Sequence, residues 1–356
     1  MATSATTGTH DISSLFASRI QSVAEFGIDN VNTILQNDLA AHNLLVQDMF
    51  GEFAEFSSDR QRIYGASVSG DMVEVDEYGR SATQKPSAGS TVGFPMKMFQ
   101  YAIGWTEKWM QTHTPNDMAL AQQGAKMAHL RRLQLEVKKA LLLSSNYTWV
   151  DFLVDGVSLS VKRLVNADSQ AIPDGPNGEQ FTASSHTHYL ARVSTLAVSD
   201  GTGLINTVLE HGHGGRVKIA INAADEAAWR ALTGTGGFQA LSDPRLIYRN
   251  TDTPGQTLDI SRTDNRQIGL FGAAELWVKP WVPANYALCW DSEGPKPLLF
   301  RQRSQATLQG LRIAATNSAY PLAAQYMEDE FGIGVWNRTN GAVLYTGGTS
   351  YTDPTL

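Results

Sequence analysis

The stretch "TPNDMALAQQGAKMAHLRRLQLEVKKALLLSS", residues 114–145, decides the expected fold because it has the pattern of one long helix. Thr114 is a suitable N-cap, Pro115 takes the first helical position, and Asp117 places a negative charge in the first turn. We expect the helix to span residues 115–145, and from residue 117 onward it is roughly 43 Å long at about 1.5 Å per residue. Helices in globular proteins average about 11–12 residues, so this one is expected to form the spine of a domain.

Apolar residues recur three or four positions apart along this helix, which predicts a buried stripe that packs on a sheet. The stripe consists of Met127, Leu130, Leu133, Val137 and Leu141. The basic residues that flank it, and that we expect to face solvent or neighbouring molecules, are Arg131, Arg132, Lys138 and Lys139.

Residues 1–56 precede the sheet-forming part of the chain. The first ten are rich in Ser and Thr and are expected to form a flexible arm, whereas residues 11–56 carry apolar residues at helical spacing. This spacing predicts two or three short helices. Their apolar faces are expected to pack either on the body of the same chain or on a neighbouring molecule.

Residues 57–112 predict a long β-hairpin, with strands at 62–79 and 90–109 and a polar tip at 80–90. The second strand changes phase. Its apolar residues are first Val92, Phe94, Met96 and Met98, and then Phe99, Tyr101, Ile103 and Trp105. A shift of one residue predicts a β-bulge or a change of sheet face.

The rest of the chain predicts a mixed region of strands and helices. "RVKIAIN" ends in Asn222, which is expected to cap a short helix at residues 223–232. A further strand is predicted at residues 245–250, "RLIYRN". The last segment, residues 323–348, reads as strand, turn and strand around the Asn340-Gly341 pair.

Composition limits the classes of function. The chain has 356 residues, 42% hydrophobic and 18% charged, with a net charge of −7, which predicts a folded protein whose surface is partly covered by other subunits. The acidic balance argues against binding nucleic acid by neutralising phosphates. The single cysteine, Cys289, is expected to be a buried thiol. No signal peptide or membrane span is recognised, so we expect synthesis in the cytoplasm.

Four of the eight histidines fall close together in the sequence: His186, His188, His211 and His213. Imidazoles two residues apart on a strand share a face and suit zinc, iron or manganese, with Glu210 as a base or further ligand, which predicts a metal-dependent enzyme. In the other interpretation "HGHGG" is the glycine-rich end of a helix, with His211 in its last turn. We adopt the second: no metal, cofactor or catalytic residue is expected, and no phosphate-loop, dinucleotide or GxSxG motif occurs.

The order of these elements resembles that of the major capsid proteins of tailed bacteriophages, the Hong Kong 97-like fold family. Residues 91–142 are similar to the descending arm of an E loop that runs directly into a spine helix. "FTASSHTHYL" at 181–190 and "GGRVKIAINAADEAAWRAL" at 214–232 resemble the start of an A domain, and residues 326–348 resemble the return hairpin of a P domain. The likeness covers nearly the whole chain in order, length and texture, without a catalytic motif.

The resemblance implies an α+β, Hong Kong 97-like capsid fold with an N-arm, a long E-loop β-hairpin, a P domain with a long spine helix, and an A domain. The implied divisions are an N-terminal arm at 1–56, an E loop at 57–112, a P domain at 113–190, an A domain at 191–295, and P-domain return strands with a C-terminal hairpin at 296–356.

The resemblance also implies a structural subunit, not an enzyme, that assembles as pentamers and hexamers into an icosahedral capsid. The shell would enclose double-stranded DNA without sequence-specific binding or a membrane, and would join a portal protein and, in some phages, scaffolding and decoration proteins. The implied location is the virion, after synthesis in the host bacterial cytoplasm. Assembly contacts are expected from the helix stripe and from Phe94, Met96, Tyr101 and Trp105. An encapsulin-type nanocompartment shell and the metal-dependent enzyme are the alternatives.

Some members of this family join subunits by an isopeptide bond between an E-loop lysine and a P-domain asparagine. Lys85 lies in the expected loop tip, and Asn337 and Asn340 lie in the last segment. No glutamate can be assigned as the catalyst of such a bond, so we interpret the three as a surface lysine and two turn asparagines.

Overall fold

A computed structural model describes residues 21–65, 72–85, 89–165, 168–192, 195–240 and 265–356. The expected flexible arm at residues 1–10 and the expected strand at 245–250 lie outside these ranges. The helices are α1 (Val23–Phe26), α2 (Ile28–Phe50), α3 (Glu107–Thr112), α4 (Pro115–Leu142), α5 (Val198–Leu209) and α6 (Glu226–Arg230). The strands are β1 (Ala54–Ser57), β2 (Gln61–Tyr64), β3 (Ser90–Gly93), β4 (Lys97–Thr106), β5 (Tyr147–Val150), β6 (Ser158–Val161), β7 (Tyr189–Ala191), β8 (Val217–Ile221), β9 (Phe238–Ala240), β10 (Arg266–Phe271), β11 (Ala274–Val278), β12 (Tyr286–Asp291), β13 (Leu298–Gln302), β14 (Arg312–Ala319), β15 (Leu322–Val335) and β16 (Ala342–Tyr345).

Within the described residues the strands form two large sheets and two short ribbons. The five-stranded sheet has the order β1-β13-β15-β14, and β4 also pairs with β15. The seven-stranded sheet has the order β7-β16-β12-β8-β11-β10-β9. The ribbons are β2-β3 and β5-β6. All strand pairs are antiparallel except β1-β13, β8-β11 and β7-β16.

Two cores lie on opposite faces of the seven-stranded sheet. One joins its face that carries Leu288 and Trp290 to α4, α2 and the five-stranded sheet. The other lies between the opposite face and the helices α5 and α6, and it includes Trp229 and Cys289. Burial of Cys289 confirms the expectation, and the same burial raises the pKa of its thiol far above the usual range.

The long helix α4 begins as expected, because the Asp117 carboxylate accepts a hydrogen bond from the Thr114 N–H at 3.0 Å and Pro115 is its first residue. It ends at Leu142, three residues before the expected end at residue 145. The prediction of a single long helix is therefore confirmed.

The buried face of α4 differs from the predicted stripe. Leu133, Val137 and Leu141 are buried and Leu130 packs at the edge of the core, but Met127 is 52% exposed, so its assignment to the stripe is wrong. Polar side chains take the remaining inward positions, since each has a partner there: Gln122, His129 and Glu136. An apolar-only criterion misses a helix face of this kind.

The predicted flanking cations of α4 do not all face solvent. Arg131 is exposed, whereas Arg132 and Lys139 are half-buried and pair with Glu136 at 2.8 and 3.2 Å. Lys138 is half-buried as well.

Residues 23–57 pack on the body of the same chain. The prediction of two or three short helices is wrong for residues 28–50, which form one helix of 23 residues. The pattern of apolar residues is interrupted at His42. This side chain is nevertheless buried, because it is hydrogen-bonded to His129, and the helix continues through it. After it, β1 pairs in parallel with β13, which joins this segment to the core.

The predicted long hairpin is wrong in its pairing. Within the described part of this region, β2 pairs with β3 over four residues and residues 72–85 contain no strand. β4 pairs along its whole length with β15. A phase switch is present as predicted, but it lies between β3 and β4 and before Met98, not after it. Phe94 and Met96 are both buried, and beyond them Met98 is exposed while Phe99 faces the core.

The final strands do not form the predicted hairpin, because β15 and β16 belong to different sheets. Gly341 has a φ of −171°, which is extended backbone, so the Asn340-Gly341 pair does not form the left-handed turn that a tight hairpin requires. A single 3-10 turn, Arg338–Asn340, carries the chain from one sheet to the other.

Candidate assembly surfaces and a histidine cluster

Large apolar side chains are exposed along residues 72–78. This segment has no helix or strand, and Met72 and Tyr78 are 103% and 89% exposed. The exposed apolar side chains are Met72, Val73, Val75 and Tyr78. Monomeric soluble proteins rarely expose such contiguous apolar groups, so this segment is suited to a contact with another molecule. For brevity we call residues 72–85 the apolar loop.

The five-stranded sheet offers a second surface at the end where β14 turns into β15. Tyr320 and Leu322 are exposed there, and six residues of β14 are exposed in succession from residue 314. Among the described residues, β14 and β4 each pair only with β15, which leaves both outer edges open. Open edges readily pair with or pack against another chain.

Of the side chains predicted for assembly, most serve the fold of this chain instead. Phe94, Met96 and Trp105 are buried, and Tyr101 is 40% exposed. Met98 and the apolar loop, which were not predicted as assembly contacts, are exposed. In the sequence these apolar residues are interspersed with polar ones. A strand that is paired within its own sheet has the same pattern, so the sequence alone does not show that they are exposed.

Three of the four predicted histidines form one cluster. The Nε2 atom of His186 lies 3.0 Å from that of His211 and 3.2 Å from that of His188, and the latter two are 3.1 Å apart. His186 and His188 lie between a turn at residues 183–185 and β7, and His211 lies in the turn that follows α5. The fourth, His213, points elsewhere, and its Nε2 is 2.9 Å from Oγ1 of Thr339.

The hydrogen-bond partner of His188 determines which of its ring nitrogens carries the proton. Its Nδ1–H donates to the carbonyl oxygen of Gly341 at 2.9 Å, so in the neutral ring the Nε2 lone pair faces the cluster. Burial, followed by the nearby His211, lowers the pKa of His188 to about 3. Burial also lowers the pKa of His211 to about 4, so both rings are neutral at pH 7.

The surroundings of the cluster combine an aromatic cover with charged groups. The Phe181 ring lies 4.6 Å from the His186 ring and 4.2 Å from the His211 ring, centroid to centroid. Glu210 has a carboxylate oxygen 3.6 Å from Nε2 of His186. A cavity of about 20 Å³ borders His186 and His188, which is room for about one water molecule.

The cross-link candidates are placed unfavourably for that reaction. Lys85 is exposed at the end of the apolar loop. Asn340 is fully buried, and its amide bonds to Asp291 and Pro295. Asn337 is 8% exposed and donates to the Pro295 carbonyl. Both amides are engaged inside their own subunit, so neither meets a lysine of a neighbour without local unfolding.

Comparisons with solved structures place this fold. A chain from the structure of Mycobacterium phage Patience matches 99% of this chain and 97% of its own length, with a TM-score of 0.66 and 17% sequence identity. Weaker matches include the capsid of a native GTA particle (84% of this chain, 90% of that chain, TM-score 0.48, 13% identity) and a chain of Mycobacterium phage Adephagia (84%, 89%, 0.48 and 13%). No protein family model and no curated protein matches the sequence.

The match to the Mycobacterium phage Patience chain spans both chains almost completely, so it compares whole folds. It shows that this chain has the fold of a phage chain, as the resemblance implied, and the mixture of helices and strands confirms the expected α+β class. In addition, none of the helices in the described ranges is long and apolar enough to cross a bilayer.

Proposed function

We propose that this chain is the repeating structural subunit of an icosahedral bacteriophage head, a major capsid protein without enzymatic activity. The observation that carries the proposal is the apolar loop, which projects Met72, Val73, Val75 and Tyr78 into solvent from a chain that shares its fold with a phage protein. Such side chains are costly in a free monomer. They are accounted for when a neighbouring subunit covers them.

The open sheet edges support the same proposal. Exposed β14 and β4 lie on either side of β15, and Tyr320 and Leu322 extend the apolar surface at their tip. In a closed shell each edge faces an adjacent subunit, so the hazard of uncontrolled edge pairing is removed by symmetry.

The finer assignments belong to the same proposal. The apolar loop with β2 and β3 would act as the E loop, α4 with the five-stranded sheet as the P domain, and the seven-stranded sheet with α5 and α6 as the A domain. The subunits would form pentamers and hexamers in the virion, joined by a portal protein and, in some phages, by scaffolding and decoration proteins. Synthesis would take place in the cytoplasm of the host bacterium.

The charge of the chain supports confinement of DNA by the closed wall. With a net charge of −7, the subunit has no excess of cations with which to neutralise phosphates. We expect free subunits to bind duplex DNA weakly at physiological salt. A tight affinity that falls steeply with salt would contradict this part of the proposal.

The test is assembly of the untagged full-length protein, followed by sedimentation and negative-stain electron microscopy. Wild type is expected to form shells, or rings of five and six subunits. A Met72→Ser/Tyr78→Ser double variant should form them poorly, although its free subunits should have the same melting temperature as free wild-type subunits. Glu74→Gln, in the same loop, is the matched control and should assemble as wild type does. A wild-type protein that stays monomeric at high concentration, with or without co-expressed phage head proteins, would overturn the proposal.

A further inference from the structure

The three Nε2 atoms of His186, His188 and His211 form a triangle with sides of 3.0, 3.1 and 3.2 Å. Each Nε2 atom is either a donor, when it carries a proton, or an acceptor, when it carries a lone pair. Among three atoms with two possible states, at least two must be alike. One side of the triangle therefore always joins two donors or two acceptors at hydrogen-bond distance, which is repulsive.

Hydrogen bonding among the rings cannot remove this conflict. Because His188 presents its lone pair, His186 and His211 could both donate to it, but their two N–H groups would then lie side by side with the nitrogens only 3.0 Å apart. If only one of them donates, the other meets His188 lone pair to lone pair. Within the described residues Nδ1 of His211 is buried and makes no hydrogen bond, so a proton moved there gains no partner.

A second pair of buried histidines in the same chain shows the contrast. Nε2 of His42 lies 3.0 Å from Nδ1 of His129, whose Nε2 lies 2.8 Å from the Asp329 carboxylate. Donors and acceptors alternate along this line, and both rings can be neutral and satisfied. The line has a complete hydrogen-bonding solution, whereas the triangle has none.

A cation resolves the triangle, since it accepts all three lone pairs at once. We infer that His186, His188 and His211 bind one divalent first-row transition-metal ion, zinc by the character of the donor set. In tetrahedral zinc sites the Zn–N distance is about 2.0–2.1 Å, which separates the nitrogens by about 3.3 Å, close to the separations here. The Glu210 carboxylate, next to His211 in sequence and 3.6 Å from His186, is placed to become the fourth ligand.

The ion would act as a structural clip. β7 is a three-residue edge strand, which alone holds its entry segment weakly. The ion would join this segment to the turn after α5, while the bond from His188 Nδ1 to Gly341 fixes the ring and raises its basicity as a ligand. The inference stands apart from the proposed shell function, because an unassembled subunit contains the whole site.

The test uses the full-length chain without a histidine tag, because a tag itself binds the ion. The protein is stripped with a chelator, dialysed, and titrated with Zn²⁺ alone in competition with a chromophoric chelator. The ligand variants are His186→Ala and His211→Ala. The matched control is His213→Ala, which removes a histidine of the same turn that bonds to Thr339. Circular dichroism of each metal-free variant verifies folding.

The expected result is one Zn²⁺ per chain in wild type and in His213→Ala, with affinity at least about 10-fold weaker in either ligand variant. Zinc should also raise the melting temperature of wild type and of His213→Ala, but not that of the ligand variants, because an ion that binds only the folded state stabilises that state. Wild-type protein loaded with Co²⁺ should show the intense visible absorption of a four-coordinate ion, a readout that needs no variant to fold. Wild-type affinity no higher than that of His186→Ala, or a weak six-coordinate cobalt spectrum, overturns the inference.

Discussion

His129 on α4 donates a hydrogen bond from its Nε2 to Oδ2 of Asp329 on β15, across 2.8 Å, with both side chains buried. Since a carboxylate only accepts, Nδ1 of the neutral ring accepts in turn from Nε2–H of His42 on α2. The three residues thus join the first long helix, the second long helix and the central strand. Their polar side chains occupy buried positions on both helices. A prediction based on apolar residues alone would end the helix at such positions.

The first prediction concerns pH. Burial, followed by the electrostatic interactions with His129 and Lys126, lowers the pKa of His42 to about 4, with Asp38 opposing the shift, whereas the unfolded value is 6.5. The unfolded state therefore binds more protons between these two values, and stability falls as pH falls through that window. We expect this residue to cost about 2 kcal/mol of unfolding free energy between pH 7 and pH 5.

The measurement is urea denaturation of free subunits at the two pH values. His42→Gln keeps a donor for His129 but cannot titrate, so its loss on acidification should be smaller than that of wild type by about this amount. Equal losses in the two proteins would contradict the prediction.

The second prediction compares two positions on α4. Leu133 is fully buried and Met127 is 52% exposed, although both belong to the same apolar pattern. Leu133→Ala should lower the unfolding free energy by ~2–5 kcal/mol through lost burial and a residual cavity, and Met127→Ala by less than about 0.5 kcal/mol. Thermal unfolding of free subunits decides the matter, and the reverse order of the two losses would mean that the helix packs through its other face.

The third prediction tests whether residues 28–57 belong to the body of the subunit. Phe53 is 4% exposed and its ring contacts those of Phe50, Trp281 and Trp290. Phe53→Ala should therefore cost ~3–5 kcal/mol of stability. Leu44→Ala, on the exposed side of α2, is the control and should change stability by less than about 0.5 kcal/mol.

The same reasoning predicts that deleting residues 1–56 prevents folding, because the deletion removes α2 and most of β1 from the core. A truncated subunit that unfolds cooperatively at the wild-type midpoint would show that this segment is a dispensable arm.

Local signals in the sequence were sufficient where neighbours along the chain decide the structure. The start of α4 depends on Thr114, Pro115 and Asp117, which lie within four residues. Asn222 caps the 3-10 turn Ala223–Asp225, which leads into α6, by accepting from Ala224 N–H at 2.8 Å. The phase switch near Phe94 falls in the short connection between β3 and β4, and it is likewise visible in the local pattern of apolar residues. These features could be predicted without knowledge of any distant partner.

The predictions that were wrong concern contacts between distant parts of the chain. β4 has the alternation of apolar and polar residues that is typical of a hairpin strand. This alternation does not indicate which strand pairs with it, and its partner β15 lies more than 200 residues further along the chain. The histidine cluster has the same origin, because His186 and His211 are 25 residues apart and meet only when β7 and α5 pack side by side. Its three members were among the four predicted candidates. The sequence did not show that their Nε2 atoms converge or that His213 turns away.

The fourth prediction concerns the tip formed by β14 and β15. Leu322 is 61% exposed, so Leu322→Ser should leave the melting temperature of the free subunit within about 1–2 °C of wild type, as for an exposed substitution of less than about 0.5 kcal/mol. In shells the same change should slow assembly, because an apolar contact with a neighbour is lost. Light scattering follows the rate, and Ser318→Thr, on the same exposed tip, serves as the control.

The last prediction separates a structural role of Asn340 from a role in covalent cross-linking. Its Nδ2 donates to the carbonyl oxygens of Asp291 and Pro295 at 2.9 and 2.7 Å, and its Oδ1 accepts from Asp291 N–H at 2.7 Å. Asn340→Asp keeps the shape but replaces the donor group with an acceptor that faces two carbonyls. We expect a loss of at least about 2 kcal/mol of unfolding free energy, while Lys85→Arg, on the exposed loop, should have no effect. Boiled in detergent, assembled wild type and Lys85→Arg should both run as single chains, because the amide that a cross-link would consume is already bonded within its own subunit. A ladder of covalent oligomers in wild type that disappears in both variants would instead mean that Asn340 leaves this buried position during assembly and reacts with Lys85 of a neighbour.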